Sequence, residues 1–342
     1  MPLLSPKHLT CLALLGATLL TACGGSDTEP STPGSAAERD ESLFPVSIEH
    51  KFGTTEVEAP PERVVTVGWT EQDIALALGV PPVASREFLG GYDWRKRPWA
   101  RGMPGASDVE LVGQEEINVE KVAATRPDVL IGVNSGMTER DYDKLSKIAP
   151  TVPQSDEFID FGVPWQEQTR VTGQALGLED KADQLVAKVE EKFAQALEEH
   201  PEFEGKTAAL AYASGDGGFG AYATGDYRVK FFEDLGFMTP NAIDELAGDS
   251  FYVDFSAERL RLIDQDVVVM FAKREDVIDH PVYRRLDAVR EDRVIYLDLE
   301  DQLAGALGYS SPLSLPFAID EAVPRLAAAI DGDPKTEIEQ PR

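Results

Sequence analysis

The chain has 342 residues, 42% of them hydrophobic and 27% charged, which is enough to bury a large core and to build more than one folded unit. Its net charge of −29 argues against a nucleic-acid partner, whose phosphates it would repel. Two cysteines and four histidines leave little material for a disulfide framework or a side-chain metal centre.

In chain order, Lys7 and His8 precede an apolar run from Leu9 to Leu20, too short to span a bilayer comfortably and of the length of a secretion-signal core. It ends in Leu20-Thr21-Ala22-Cys23, which resembles a bacterial lipobox. The expectation is a lipoprotein signal peptide over 1–22, removed together with Cys11. Cys23 is then the palmitate-bearing anchor at the extracytoplasmic face of the cell membrane. Gly24 to Glu41 is rich in Gly, Ser, Thr, Pro and acids and reads as a disordered tether, 23–43 with the anchor included.

The folded body is expected from near Phe44. Glu62 to Gly68 predicts a strand and Thr70 to Leu78 a helix stopped by Gly79 and Pro81. Periodicity then disappears from Ser85 to Gly105. Helices are predicted over Thr138–Ile148 and Trp165–Leu176, with strand-like Thr151-Val152 between them. A long helix from Asp180 to Glu199 follows, without internal Gly or Pro. Beyond it come a strand over Lys206–Ala213, a glycine-rich loop over Ser214–Arg228 and a helix over Val229–Leu235. A helix over Pro281–Val289, a strand over Arg293–Leu299 and a final amphipathic helix over Pro316–Ile330 complete the reading. Alternating strands and helices predict an α/β protein with mostly parallel sheets. The division is a first lobe at 44–178, a stiff bridge at 179–204, a second lobe at 205–330 and a polar tail at 331–342.

Two stretches align without a gap: Ile117-Asn-Val-Glu-Lys-Val-Ala-Ala-Thr-Arg-Pro-Asp-Val-Leu-Ile131 and Phe255-Ser-Ala-Glu-Arg-Leu-Arg-Leu-Ile-Asp-Gln-Asp-Val-Val-Val269. Each reads as a short helix capped by Asn118 or Ser256, then a buried parallel strand after Asp128 or Asp266. Glu120 and Glu258 stand two residues after the cap, too early for a reciprocal capping box. Helix-dipole stabilisation of about 0.3 to 1 kcal/mol accounts for either alone. Their matched placement leaves a functional role open.

The irregular stretch concentrates Arg86, Arg95, Lys96, Arg97 and Arg101 with Tyr92, Trp94 and Trp99, a reversal of sign in an acidic chain. Guanidinium forks hold anionic oxygens and indole faces stack on flat groups, so it is the candidate ligand loop, led by Arg95 and Trp99 and joined by Trp69. The alternative is surface ion pairing and simple packing. Gly215-Asp-Gly-Gly-Phe-Gly220 formally matches G-x-G-x-x-G, but Gly225 breaks any following helix, so no dinucleotide site is expected. Tyr222 and Arg228 are candidates to face a cleft from that loop. No arrangement of nucleophile, base or clustered metal ligands points to an enzyme.

The lipobox, Trp69 to Gly79, Ile117 to Val122, Arg126 to Gly132, Ser135 to Leu145 with Ile148 to Val152, Pro164 to Arg170 and Ser311 to Phe317 together resemble the iron-siderophore substrate-binding proteins of bacterial ABC transporters. The resemblance covers the whole body after the tether and implies two Rossmann-like lobes joined by one long helix, the class III arrangement. It further implies a ferric siderophore held in the cleft, iron supplied by the siderophore and no cofactor, in a monomer that serves an ABC permease dimer with its ATPase. Glu120 and Glu258 are then permease-docking residues, and the loop of Arg95 is where related receptors hold siderophore oxygens. Haem or cobalamin is the alternative cargo, and for haem Tyr92, Tyr222 or Tyr309 could supply an iron ligand. The Arg/Trp-rich loop and the scarcity of histidine favour the siderophore.

Overall fold

A computed structural model of the chain describes residues 41–87, 97–106, 109–214, 217–333 and 336–341. The body opens with a hairpin absent from the sequence reading, β1 (Val46–His50) and β2 (Gly53–Val57), paired antiparallel. Alternate residues Val46, Ile48 and Val57 point into the core of the first lobe, as a strand pair with one wet face requires. Then β3 (Val64–Thr66), α1 (Glu71–Ala77), β4 (Ala84–Ser85), β5 (Glu110–Leu111), α2 (Val119–Ala124), β6 (Val129–Gly132), α3 (Glu139–Leu145) and β7 (Thr151–Pro153) build a five-stranded parallel sheet in the order β5-β4-β3-β6-β7. Its central strands are buried along their whole length, which is why they read as unbroken apolar runs.

α4 (Trp165–Leu176) ends where Gly177 takes a left-handed conformation at φ 66°, and α5 (Glu179–Glu199) follows. Its 21 residues span about 30 Å. One stripe, Ala182, Val186, Val189, Phe193 and Ala196, is buried at helical spacing. Ala182 joins the core of the first lobe, whereas the other four belong to the core of the second. The same helix face therefore serves both lobes, and moving one against the other would unpack it.

The second lobe contains β8 (Ala208–Ala213), β9 (Phe219–Tyr222), α6 (Val229–Asp234), α7 (Asn241–Ala247), β10 (Tyr252–Phe255), β11 (Val267–Phe271), α8 (Arg274–Val277), α9 (Asp287–Arg290), β12 (Val294–Leu297), α10 (Gln302–Tyr309) and α11 (Ser314–Ile330). Its sheet runs β10-β9-β8-β11-β12, parallel through β8, β11 and β12, with β9 antiparallel to both neighbours.

Three expectations are corrected here. The glycine-rich stretch contains β9: Tyr212 lies across Gly220, where a Cβ would come within 2.1 Å of its ring, so this glycine serves a strand rather than a loop. The helix expected over Pro281–Val289 is broken into a 3-10 turn, Tyr283–Arg285, and the single turn of α9, because Leu286 is extended and the Asp264 carboxylate caps the amides of Asp287 and Ala288. The tail, polar by composition, packs back: Ile338 is buried in the second core and the Gln340 side chain bonds both Tyr296 N–H and Val294 C=O of β12.

The repeated segments differ at their starts and agree at their closing aspartates. Asn118 caps α2 by accepting the Lys121 amide at 2.9 Å, as expected. Ser256 makes no such bond, and the second copy, Ala257–Ile263, is a 3-10 helix instead of an α-helix. The repeated aspartates share one role. Asp128 accepts the amides of Glu62 and Arg63 at 2.8 and 2.9 Å, and Asp266 accepts the amide and hydroxyl of Thr207 at 2.8 and 2.9 Å. Each carboxylate clamps the chain entering the strand beside it.

Candidate ligand-binding site

Between the lobes lies a cavity of about 510 Å³, within the range of small-molecule sites. The first lobe contributes Trp69, Arg86, Glu115 and Phe161. The second contributes Tyr222, Tyr227, Arg228, Phe251, Phe271 and Leu299.

Arg86 follows β4, and its guanidinium carbon lies 3.6 Å from the centroid of the Trp69 ring. Its Nε donates to the Gln114 carbonyl at 2.6 Å, Nη1 to that of Ser135 at 3.1 Å and Nη2 to that of Glu115. Burial lowers its pKa to about 10, partly opposed by the negative field of Glu71, so it is charged at neutral pH. Glu71 is itself fully enclosed, accepting the amides of Asn134 and Thr70, and burial raises its pKa. Gly68 beside it has no room for a Cβ, which would stand 2.1 Å from the Glu71 carboxylate.

Arg228 caps the start of α6 and lies 3.9 Å over the Tyr222 ring. Nε and Nη2 grip the buried Asp226 carboxylate at 2.8 and 2.6 Å. Nη1 has no hydrogen-bond partner among the described residues. Burial disfavours its charge, but the Asp226 carboxylate outweighs burial and raises the pKa well above the ordinary arginine value. The neighbouring Tyr227 donates its hydroxyl to the Gly308 carbonyl at 2.7 Å, which fixes the segment to α10.

Each lobe thus presents one guanidinium laid on an aromatic ring. Such planes offer N–H donors to oxygen-rich ligands, and the rings around them accept apolar surface. Among the described residues the lining includes no Ser, Cys or His to act as a nucleophile or general base. Among the described residues no cluster of three or more His, Cys, Asp or Glu could hold a metal ion, and no helix is long and apolar enough to cross a membrane.

Of the residues singled out from sequence, Trp69, Arg86, Tyr222 and Arg228 come together in the cavity. Arg97, Trp99 and Tyr309 do not line it. Arg97 is 2% exposed and ion-paired with Asp73 of α1, Trp99 donates Nε1 to the same carboxylate at 2.7 Å, and Tyr309 is enclosed against both. Burial of the tyrosine keeps its hydroxyl from any cargo in the cavity. Tyr92, Trp94, Arg95 and Cys23 lie outside the described residues. Glu120 and Glu258 are exposed in the first turns of the matched helices. Sequence reasoning passed over Phe161, Tyr227, Phe251 and Phe271. Phe271 closes the apolar run of β11 and Tyr227 adjoins Arg228, so their places at a strand end and beside a flagged arginine were the available signals.

Among known proteins, a family model described as periplasmic binding protein matches residues 64–300. The chain is 26% identical over 282 residues to a probable siderophore-binding lipoprotein, YfiY, of Bacillus subtilis, covering 79% of this chain and 81% of that one. Its fold is similar to a periplasmic solute binding protein from Mycobacterium smegmatis, with 33% identity, a TM-score of 0.71 and coverage of 83% and 98% of the two chains. It is also similar to PiaA of Streptococcus pneumoniae in complex with ferrichrome, with 28% identity, a TM-score of 0.74 and coverage of 84% and 99%. With that match and two α/β lobes on a single long helix, the chain belongs to the periplasmic binding protein family, in its class III form, and is a binding protein and not an enzyme.

Proposed function

We propose that the protein is a lipid-anchored receptor at the extracytoplasmic face of the cell membrane that takes a ferric siderophore into the interlobe cavity and delivers it to an ABC permease for iron uptake. The observation that carries this reading is the pair of ring-stacked arginines, Arg86 on Trp69 and Arg228 on Tyr222, set in one cavity from opposite lobes. The names of the relatives support the cargo: YfiY as a siderophore-binding lipoprotein and PiaA with ferrichrome. The iron is cargo, coordinated by the siderophore, and the guanidiniums meet the chelate's oxygens. Cys23, at the end of the lipobox-like Leu20-Thr21-Ala22-Cys23, is the anchor. Glu120 and Glu258, exposed at equivalent helix starts in the two lobes, dock to the two permease subunits while the ATPase drives transport.

Trp69 under Arg86 is a built-in reporter. Titration with ferric hydroxamate and catecholate chelates is expected to quench its fluorescence saturably, an effect lost in Trp69→Phe, with no saturable change from haem or cobalamin. Binding of haem or cobalamin in preference to every iron chelate would overturn the assignment. Charge reversal tests delivery: Glu120→Lys with Glu258→Lys is expected to abolish radioiron uptake by cells while ligand affinity stays unchanged. Lost affinity in that variant contradicts the docking role.

A further inference from the structure

Beside the arginines, the lobes meet along a seam that belongs to neither hydrophobic core. Phe161 of the first lobe and Phe251 of the second both line the cavity, their rings 5.2 Å apart at 63°. Neither is part of the core clusters of its lobe. The Phe161 carbonyl accepts the amide of Tyr227 at 3.2 Å, so the residue is tied to the segment that carries Arg228. Phe161 holds φ at 62°, a left-handed conformation that a bulky side chain rarely adopts.

The surroundings make room for this placement. A Cβ on Gly136 would come within 2.4 Å of the Phe161 ring, and one on Gly162 within 2.8 Å of the Gly225 carbonyl oxygen across the seam. Small residues at these positions let the lobes approach and fix the ring where it stands. A strained aromatic held against its opposite number, facing a cavity and serving no core, fits a boundary better than a packing residue.

We propose that Phe161 and Phe251 are specificity-determining residues that gauge the bulk of the ligand. The paired rings close one wall of the cavity, and because the Phe161 carbonyl is held across the seam by the Tyr227 amide and the Phe251 carbonyl within its own lobe by the Ala223 amide at 3.0 Å, a larger ligand cannot part them without breaking interlobe contacts. This inference rests on the siderophore reading and adds an upper limit of ligand size to it.

The test compares two probes, a compact ferric trihydroxamate and the same chelate carrying a bulky aryl substituent, titrated against the full chain and its variants. The unaltered protein is expected to favour the compact chelate by about tenfold or more. Phe161→Ala and Phe251→Ala are each expected to shrink that ratio about tenfold, chiefly by admitting the bulky chelate. Phe161→Leu, which retains an apolar side chain and guards against a folding defect, is expected to fall between. Unchanged ratios in variants that still bind the compact chelate overturn the gauge alone; where only catecholates bind, the same pair is built on a ferric tricatecholate, and failure of the unaltered protein to bind either class overturns the functional reading with it.

Discussion

Arg86 and Arg97 come from one irregular stretch of sequence and end in opposite surroundings. Arg86 is held by three backbone carbonyls, which orient its guanidinium without cancelling its charge, and it faces a cavity over Trp69. Arg97 meets a buried carboxylate, Asp73, which also receives Trp99 and lies 3.5 Å from the hydroxyl of Ser311 in the second lobe. Tyr309 and Phe317 of the second lobe pack on Trp99, with ring centroids at 5.9 and 5.5 Å. Neutral acceptors leave a cation available to a ligand, whereas a buried carboxylate turns it into structure. Arg228 stands between these cases, gripping Asp226 with two nitrogens and leaving the third for the cavity.

The sharpest way to break this contrast is at Asp73. Asp73→Ala would leave the Arg97 guanidinium buried without its carboxylate, which is expected to cost about 3 to 5 kcal/mol and to lower the unfolding temperature by on the order of 10 °C. Asp73→Leu combined with Arg97→Met removes both charges and is expected to be less destabilised than Asp73→Ala, a comparison that calorimetry reads directly. Equal losses in the two proteins would remove the case for a buried strut. Arg228→Ala acts at the other pole. It deletes the free Nη1 and is expected to weaken chelate affinity about 10- to 100-fold, the range of one or two charge-assisted hydrogen bonds. The unfolding midpoint should fall as well, because the buried Asp226 carboxylate loses its cation, so affinity is read where the variant is folded. A loss of affinity no larger than that of Asp73→Ala would place Arg228 with Arg97 as a structural arginine.

Much of the fold was legible because periodicity survives translation into structure. The run from Asp180 to Glu199 without Gly or Pro announced α5, and the unbroken run after Asp128 announced a strand buried on both faces. What escaped was set by tertiary contacts. α10 contains two glycines and is buried on nearly every side, so it carries neither propensity nor an amphipathic face to read. β9 is glycine-rich for the sake of Tyr212, a reason visible only when the neighbouring strand is in place. The site divides in the same way. Residue type picked out Trp69, Arg86, Tyr222 and Arg228, but it equally picked out Arg97, since nothing local marks Asp73 as its partner 24 residues upstream. Phe161 and Phe251 have no sequence signal at all, because they matter only as a pair across the lobes.

The smallest expected effect separates charge from packing at Arg86 itself. Burial lowers its pKa to about 10, with Glu71 opposing, so the guanidinium is fully charged through neutral pH and loses its proton about where lysines do. Affinity for a chelate bearing anionic oxygens should therefore be flat from neutral pH upward and fall as pH passes through about 10. Stability should respond with the opposite sign. A base whose folded pKa is depressed carries its charge at a cost to the fold wherever both states are protonated, and that cost shrinks as pH climbs from the folded pKa toward the ordinary arginine range. Subtracting the urea midpoints of Arg86→Met from those of the unaltered protein at a series of alkaline pH values isolates this contribution from the other groups titrating there. A difference that rises with pH while affinity falls identifies Arg86 as a cation kept charged for the cavity. A difference that does not change with pH would mean that its three carbonyl contacts, and not its charge, are what the fold retains it for.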